Sequence, residues 1–218
     1  MLKIKVKICG VRSISDIQVA VEAGAAYIGV VFFPKSSRNL SLDQGRLLMQ
    51  GAPMGVCKVG LMVNPNNKFI ESVLNKVPID MIQLHGEESV NRVAEIKKNF
   101  GLPVMKAIGM RSEGDILKID EYSEVADQIL VDAASEPGSK NPGGNGKPFD
   151  WRVISDISWS KPWMLAGGLN QKNVIQAIRL TKAIQVDVSS GVEILKGIKS
   201  GPKITKFIKI VEGVSDVE

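Results

Sequence analysis

Short β-rich runs alternate with longer helical stretches along this 218-residue chain, and this alternation constrains the fold more than any other feature. Eight β-rich runs occur, at 3–9, 26–32, 56–63, 80–84, 103–108, 128–132, 162–166 and 183–188. Segments with a 3.6-residue apolar period lie between them, at 15–23, 42–50, 67–77, 87–100, 170–180 and 203–211. Such alternation favours parallel strands, because parallel neighbours need a crossover connection. Eight units in about 220 residues predict an α/β fold, the closed (β/α)8 or TIM barrel.

The repeat continues without a linker, so we expect one domain over residues 1–218. The main alternative is an open, doubly wound parallel sheet. No G-x-G-x-x-G follows the first predicted strand, which weakens that alternative. Within the repeat, Asn170 is expected to be the N-cap of the helix in QKNVIQAI.

Composition excludes several classes of function. One histidine and two cysteines are too few for a multi-histidine metal centre or a disulfide framework, so no metal is expected. No run of 18 apolar residues occurs, and MLKIKVKICG lacks the apolar core of a signal peptide. We therefore expect a cytoplasmic protein with no membrane partner. The net charge of +5 comes from scattered lysines without interleaved aromatics, which disfavours nucleic acid and suits a small anionic substrate.

Strand polarity separates the two cysteines, because active residues of such barrels lie at the carboxyl ends of strands. Cys9 closes the first predicted strand and Cys57 opens the third. Cys57 is therefore expected to be a small buried hydrophobe. Alternation along KIKVKIC puts Lys7 and Cys9 on one face and the isoleucines and valine on the other. The apolar face should meet the helices, so Cys9 should point into the barrel mouth.

Asp132 ends the sixth predicted strand, across the mouth from the first. A carboxylate there could merely cap a loop by accepting backbone N–H bonds. A thiol and a carboxylate on opposite sides of a substrate are also suited to removing one proton and donating another. No Ser-His-Asp or Cys-His arrangement competes with this pair.

Two glycine-containing loops follow the seventh and eighth strands, AGGLN (166–170) and SSGVE (189–193). In barrels these loops often bind phosphate through backbone N–H groups, although tight turns use the same residues. Arg38 is a candidate clamp for a carboxylate, with a solvated surface arginine as the alternative. His85 is interpreted as a hydrogen-bonding wall residue, because the thiol and the carboxylate already fill the proton-transfer roles.

Two further features lead to expectations. The loop SEPGSKNPGGNGKP (135–148) is either a flexible surface connection or an active-site lid. Lys7 and Asp187 belong to the inward faces of the first and eighth strands, which are neighbours in a closed barrel. A buried charge is costly unless it is paired, so we expect a buried Lys7–Asp187 ion pair beneath Cys9.

Seven segments in order resemble the phosphoribosylanthranilate isomerase family over essentially the whole chain. They are KICG (7–10), GVVFFPKSSR (29–38), QLHGEE (83–88), ILVDA (129–133), GGNGKPFDW (143–151), AGGLNQKNV (166–174) and DVSSGVE (187–193). Two small departures from the family pattern occur, GGNG in place of GGTG and the loss of an acidic residue in GIKSGP.

The resemblance implies an Amadori rearrangement of N-(5-phosphoribosyl)anthranilate in tryptophan biosynthesis. Cys9 would be the general base and Asp132 the general acid, while Arg38 would hold the anthranilate carboxylate. The phosphate would be held by the backbone of the two loops, at Gly167, Gly168, Ser190 and Gly191. Opening of the ribose ring would give a protonated Schiff base. No cofactor is expected, because this Schiff base is itself the electron sink. Since a free cysteine has a pKa of about 8.5, the base needs either a depressed pKa or a transient thiolate.

Other functions remain open from the residues alone. The chemistry of a pentose-phosphate epimerase resembles that of a metal-dependent site with several histidines, and this chain has one histidine. A non-catalytic barrel that binds a phosphorylated ligand would keep the glycine loops but has no need of Cys9 with Asp132. A second aminoaldose isomerase activity also remains possible, and we expect a monomer or a homodimer.

Overall fold

A computed structural model describes residues 3–134 and 148–215. Its centre is a closed barrel of eight parallel strands that pair in chain order. The strands are β1 (Lys5–Cys9), β2 (Tyr27–Phe32), β3 (Cys57–Met62), β4 (Met81–Leu84), β5 (Val104–Met110), β6 (Gln128–Ala133), β7 (Trp163–Leu165) and β8 (Gln185–Val188). The predicted (β/α)8 barrel is confirmed. The doubly wound alternative is wrong, because β1 pairs with β8 and closes the sheet.

Seven helices surround the barrel in the described part of the chain. They are α1 (Ile14–Glu22), α2 (Leu42–Gln50), α3 (Asn67–Lys76), α4 (Val90–Phe100), α5 (Ile116–Ser123), α6 (Val174–Thr181) and α7 (Gly201–Ser215). Ser13, Ser41 and Ser89 cap three of them by accepting a backbone N–H bond at the first turn. Helix α5 was not among the predicted helical segments, and a 3-10 helix, Trp151–Ile154, precedes β7.

The predicted N-cap at Asn170 is wrong. Helix α6 begins four residues later, and its N-cap is Asn173. The Asn170 carboxamide instead accepts a bond from the Lys172 backbone N–H at 2.8 Å, which forms a turn before the helix. The Asn173 side chain accepts from the Asn170 N–H at 2.8 Å, so both residues shape the loop after β7.

The apolar residues form two separate layers, as the alternation along the strands predicts. Ile4, Val6 and Ile8 join the large core between the strands and the helices. A smaller cluster fills the barrel interior: Met105, Ala107, Leu130, Met164 and Ala166. The inward-facing side chains nearer the mouth are therefore those left to form a site.

The buried ion pair inside the barrel is confirmed. Lys7 Nζ lies 2.9 Å from Asp187 Oδ1, and the Lys7 side chain is completely buried. Burial acts to lower the pKa of Lys7, but the charge of Asp187, the hydrogen bond to it and the interaction with Cys9 together outweigh burial and raise that pKa. Lys7 is thus a charged ammonium beneath the mouth. Lys5, on the same face, is exposed at the opposite end of the strand.

A short antiparallel hairpin follows β8 and was not predicted. It consists of β9 (Glu193–Leu195) and β10 (Ile198–Lys199) and leads directly into α7. No described helix is both long and apolar enough to cross a membrane. Residues 135–147, which hold most of the segment considered as a lid, lie outside the described residues.

Candidate active site

A pocket opens at the carboxyl ends of the strands and brings together most of the predicted site residues. The predicted residues that line it are Cys9, Arg38, His85, Asp132, Gly167, Gly168 and Ser190. The cysteine is the last residue of β1, the histidine directly follows β4, and the aspartate is the last but one residue of β6. The predicted positions thus converge on one cavity.

Cys9 is buried at the end of β1, 5% exposed. Burial raises the pKa of its thiol above the ordinary value, although nearby Lys7 acts in the opposite direction. Gly29 faces Cys9 on β2, and a Cβ there would lie 3.1 Å from Cys9 Sγ and 3.4 Å from Lys7 Cε. Because Gly29 has no side chain, the Cys9 thiol has room beside Lys7. A depressed pKa is thus not what this site provides, and a transient thiolate is the remaining alternative.

Cys57 lies at the opposite end of the barrel, as predicted, but it is only partly buried rather than a buried hydrophobe. Burial, followed by the charge of Asp80, raises its pKa to about 11. Because Cys57 is the first residue of β3 and the mouth lies at the carboxyl ends of the strands, this thiol lies away from the mouth.

Asp132 is held by one hydrogen bond and by a close contact with His85. Its Oδ1 accepts from the Ala133 backbone N–H at 2.7 Å, and its Oδ2 lies 3.2 Å from His85 Nε2. Gly167 allows this arrangement, since a Cβ there would lie 2.6 Å from the Ala133 nitrogen and 3.1 Å from Asp132 Oδ1. The carboxylate is thereby fixed at the pocket wall with a defined orientation.

His85 is more than a wall residue, because it contacts the candidate acid directly. Its Nδ1 lies 3.1 Å from Gln83 Nε2. Gln83 is fully buried, and among the described residues its Oε1 has no hydrogen-bond partner. The period-2 spacing of Gln83 and His85 in QLHGEE was the available sequence signal for this contact.

Arg38 lies in the pocket wall and is neither solvated nor unpaired. Its Nε donates to Glu193 Oε1 at 2.7 Å and its Nη2 donates to Oε2 at 3.0 Å. Gly10, with a φ of +75°, makes room for the Arg38 stem, because a Cβ there would collide with Arg38 Cδ. Sequence reasoning missed Glu193, which ends the quoted motif DVSSGVE.

The glycine loop after β7 adopts a backbone conformation that only glycine adopts readily. Gly167 and Gly168 have φ values of +86° and +64°. A Cβ on Gly191 would collide with the Leu169 carbonyl oxygen, so the two loops are in close contact. Gly191 itself does not line the pocket, whereas its neighbour Ser190 does. The backbone of both loops is thus within reach of one anion at the rim.

Metal ligation has no support in residues 3–134 and 148–215, where no three His, Cys, Asp or Glu side chains lie close enough together to hold an ion.

The family model for N-(5'-phosphoribosyl)anthranilate isomerase matches residues 6–210 of the chain. The chain belongs to this family.

Similar proteins agree with that assignment along nearly the full chain. The N-(5'-phosphoribosyl)anthranilate isomerase of Cereibacter sphaeroides is 52% identical over 96% of this chain and 99% of its own length. A solved structure of monomers of the dimeric Thermotoga maritima isomerase has a TM-score of 0.82 and 36% identity, covering 96% of this chain and 99% of that one. A phosphoribosylanthranilate isomerase solved with reduced 1-(o-carboxyphenylamino)-1-deoxyribulose 5-phosphate has the same TM-score, 35% identity and the same coverage.

Of the two departures from the pattern of the isomerase family, only the one in GIKSGP lies among the described residues. Residues 143–146, GGNG, lie outside the described residues. In GIKSGP, Ser200 Oγ accepts from the Lys203 backbone N–H at 3.4 Å at the start of α7. A serine is a good N-cap, so this departure leaves the helix start intact.

Proposed function

We propose that the chain catalyses the Amadori rearrangement of N-(5-phosphoribosyl)anthranilate to 1-(2-carboxyphenylamino)-1-deoxyribulose 5-phosphate, an aldose–ketose isomerisation in tryptophan biosynthesis. The observation that carries the proposal is the placement of Cys9 and Asp132 in one pocket with the two glycine loops. Membership of the isomerase family supplies the substrate and the reaction.

Asp132 is the proposed general acid. It protonates the ribose ring oxygen as the C1–O bond breaks and the nitrogen lone pair forms the Schiff base. The hydrogen bond from the Ala133 backbone and the contact with His85 fix the carboxyl group at the pocket wall. A positioned acid contributes a rate factor of roughly 10²–10⁴.

Cys9 is the proposed general base, which removes the proton from C2 as a thiolate. The product is an enolamine, which becomes the ketone when C1 gains a proton and the C2 hydroxyl loses one. Burial raises the pKa of the Cys9 thiol in the free protein, so the thiolate forms only in the complex. The positive charge of the protonated Schiff base beside C2 favours that thiolate, as does the nearby ammonium of Lys7.

Substrate binding is divided between the two ends of the pocket. Arg38 binds the anthranilate carboxylate through the N–H groups that Glu193 does not use. Backbone groups of Gly167, Gly168, Ser190 and Gly191 hold the phosphate. His85 completes the wall beside Asp132. No cofactor takes part in the proposed reaction.

The proposed partner is a small phosphorylated molecule, in agreement with the phosphorylated ligand of the relative's complex. We propose a cytoplasmic enzyme without a nucleic-acid or membrane partner. A homodimer is one expected state and a monomer the other, and the Thermotoga maritima relative is a dimeric isomerase.

Turnover of phosphoribosylanthranilate, followed by loss of its anthranilate fluorescence, tests the proposal. We expect turnover that survives treatment with a chelator. Turnover abolished by the chelator and restored by a metal would instead favour a metal-dependent phosphosugar enzyme. Phosphate binding without any turnover would favour a non-catalytic binding barrel.

A further inference from the structure

Glu193 is a buried carboxylate whose two oxygens are both fully engaged. Oε1 accepts from Arg38 Nε at 2.7 Å and from Lys199 Nζ at 3.0 Å. Oε2 accepts from Arg38 Nη2 at 3.0 Å and from the Gly197 backbone N–H at 3.1 Å. All three side chains are buried: Glu193 and Arg38 are 8% exposed and Lys199 is 6% exposed. Three charged groups thus share one buried cluster.

The cluster has two cations and one anion. Burial acts to raise the pKa of Glu193, but Arg38 and Lys199 outweigh it and hold that pKa below its ordinary value. Burial lowers the pKa of Lys199, while the charge of Glu193 opposes this. The cluster therefore carries one uncompensated positive charge. A buried charge is expensive unless it is paired, so the cluster suits an anionic ligand at its exposed side.

The geometry shows which donors remain for that ligand. A guanidinium has five N–H groups, and Glu193 occupies one on Nε and one on Nη2. Nη1 has no hydrogen-bond partner within the described part of the chain. Since Arg38 lines the pocket, the end of the guanidinium away from Glu193 is the edge available to a ligand there.

We propose that Glu193 is a positioning residue that holds Arg38 by one edge and so presents the other edge to the substrate's aromatic carboxylate. The inference rests on the proposed function and deepens it, because it assigns the recognition of the carboxylate to a pair of residues rather than to Arg38 alone. Glu193 makes the enzyme select a substrate that carries this carboxylate.

A purely structural role for Glu193 predicts something different. Lys199 also donates to the Ser189 carbonyl at 2.9 Å, and Ser189 Oγ donates to the Cys9 carbonyl at 3.0 Å. Through this chain of bonds, loss of Glu193 could disturb the strand end that carries Cys9. Such a disturbance would weaken every ligand, whether or not the ligand has a carboxylate.

The test measures the dissociation constants of two stable ligands. One is the reduced product analogue, reduced 1-(o-carboxyphenylamino)-1-deoxyribulose 5-phosphate, and the other is the same molecule without the carboxylate. In the unaltered protein, loss of the carboxylate should weaken binding by roughly 10- to 100-fold, the range of charge-assisted hydrogen bonds. Glu193→Gln should weaken the first ligand by about 10-fold and the second by less than about 2-fold. An amide must turn its NH2 toward N–H donors, since both oxygens of Glu193 accept from N–H groups.

Glu88→Gln is the matched control. Glu88 is 4% exposed and pairs with Lys106 at 2.8 Å, but it does not line the pocket. This substitution should leave the ratio of the two dissociation constants as in the unaltered protein. If Glu193→Gln does not fold, Glu193→Asp is the second variant, which keeps the charge but moves it away from Arg38 by one methylene. It should reduce the ratio of the dissociation constant of the ligand without the carboxylate to that of the ligand with it.

The outcomes separate this inference from the proposed function. Equal weakening of both ligands by the Glu193 variants, or no weakening of either, overturns the positioning role. The same holds if the unaltered protein binds both ligands equally. Absence of turnover with phosphoribosylanthranilate overturns the proposed function, and it is measured in a separate assay that the binding ratio does not depend on.

Discussion

Cys9 and Asp132 end strands on opposite sides of the barrel mouth, and their surroundings differ. Cys9 shares a small apolar cluster with Val31 and Leu61, and Lys7 lies close to its thiol. Asp132 accepts a backbone N–H bond and contacts His85. The two groups thus lie in different surroundings within one pocket.

The first prediction concerns this pair. Cys9→Ala and Asp132→Asn should each lower kcat by at least roughly 10²-fold, because each removes a proton-transfer group. Cys57→Ala should leave kcat nearly unchanged, since β3 begins at Cys57 and the mouth lies at the other end. Steady-state kinetics of the folded variants provides the measurement. A normal Cys9→Ala enzyme beside an inactive, folded Cys57→Ala enzyme would show that the roles are reversed.

The second prediction concerns the protonation of Cys9. Burial raises the pKa of this thiol, so the free protein should be alkylated slowly by iodoacetamide at neutral pH. In a Cys57→Ala background, the rate should increase as the pH rises above the range of an ordinary thiol. A rate that is already maximal at pH 7 would contradict the neutral thiol and the transient thiolate.

At the scale of the elements, strands β1 and β8 contribute a charged pair that the alternation of their residues places inside the barrel. Lys7 is opposite Asp187 in the register of the two strands. The pair lies two residues before Cys9 on β1, so it fixes the strand end that carries the thiol. The hairpin of β9 and β10 acts on the other side of the mouth, since it supplies Glu193 to Arg38.

A third prediction follows for stability. Lys7→Met or Asp187→Asn alone should lower the free energy of unfolding by roughly 3–5 kcal/mol, because each leaves a buried charge without its partner. Denaturant unfolding provides the measurement. The double variant should lose less than the sum of the two single losses. Additive losses would mean that the two side chains do not interact.

The same pair has a defined pH dependence. The pKa of Lys7 is raised in the folded protein, so its stabilising contribution is complete below the pKa of an unfolded lysine. That contribution is lost only as the pH rises through the folded pKa. Between pH 7 and pH 9 the difference in unfolding free energy between the native protein and Lys7→Met should therefore stay constant.

At the scale of the whole molecule, barrel closure brings the loops after β7 and β8 beside the first strand. Gly191 packs against Leu169, and Ser189 bonds to the Cys9 carbonyl, so the two glycine loops and the thiol belong to one assembly. A ligand bound by both loops therefore connects the segments after β7 and β8, and Ser189 links the second of them to β1. Such a ligand stabilises the folded state because the unfolded chain has no such site.

The fourth prediction uses this linkage. Inorganic phosphate should compete with the substrate and raise the Tm, by the equivalent of about 2.7 kcal/mol at a hundredfold excess over Kd. Gly168→Val should abolish both effects, because its φ of +64° is strained for a β-branched residue and its side chain would fill the cradle. Thermal denaturation with and without phosphate provides the measurement. Competition that survives unchanged in the variant would place the phosphate elsewhere.

The sequence alone predicted the barrel and the orientation of its strand residues. Period-2 alternation and strand polarity are local properties, and they identified Cys9 at the mouth, Cys57 at the other end and the Lys7–Asp187 pair. An inward lysine needs a carboxylate, and closure of eight strands leaves only the neighbouring strands to provide one. The pairing therefore follows from the sequence.

Only the tertiary structure decided the contacts between loops. Arg38 and Glu193 are 155 positions apart, and the Asp132–His85 contact joins the ends of β6 and β4. Neither contact follows from the periodicity of the sequence, because the backbone beyond each strand end is irregular. Its direction depends on turns such as the one at Asn170. Partial burial of Cys57 and the raised pKa of Cys9 likewise depend on what packs around each thiol. Periodicity determines which face a side chain takes, whereas the folded loops determine which charges meet it there.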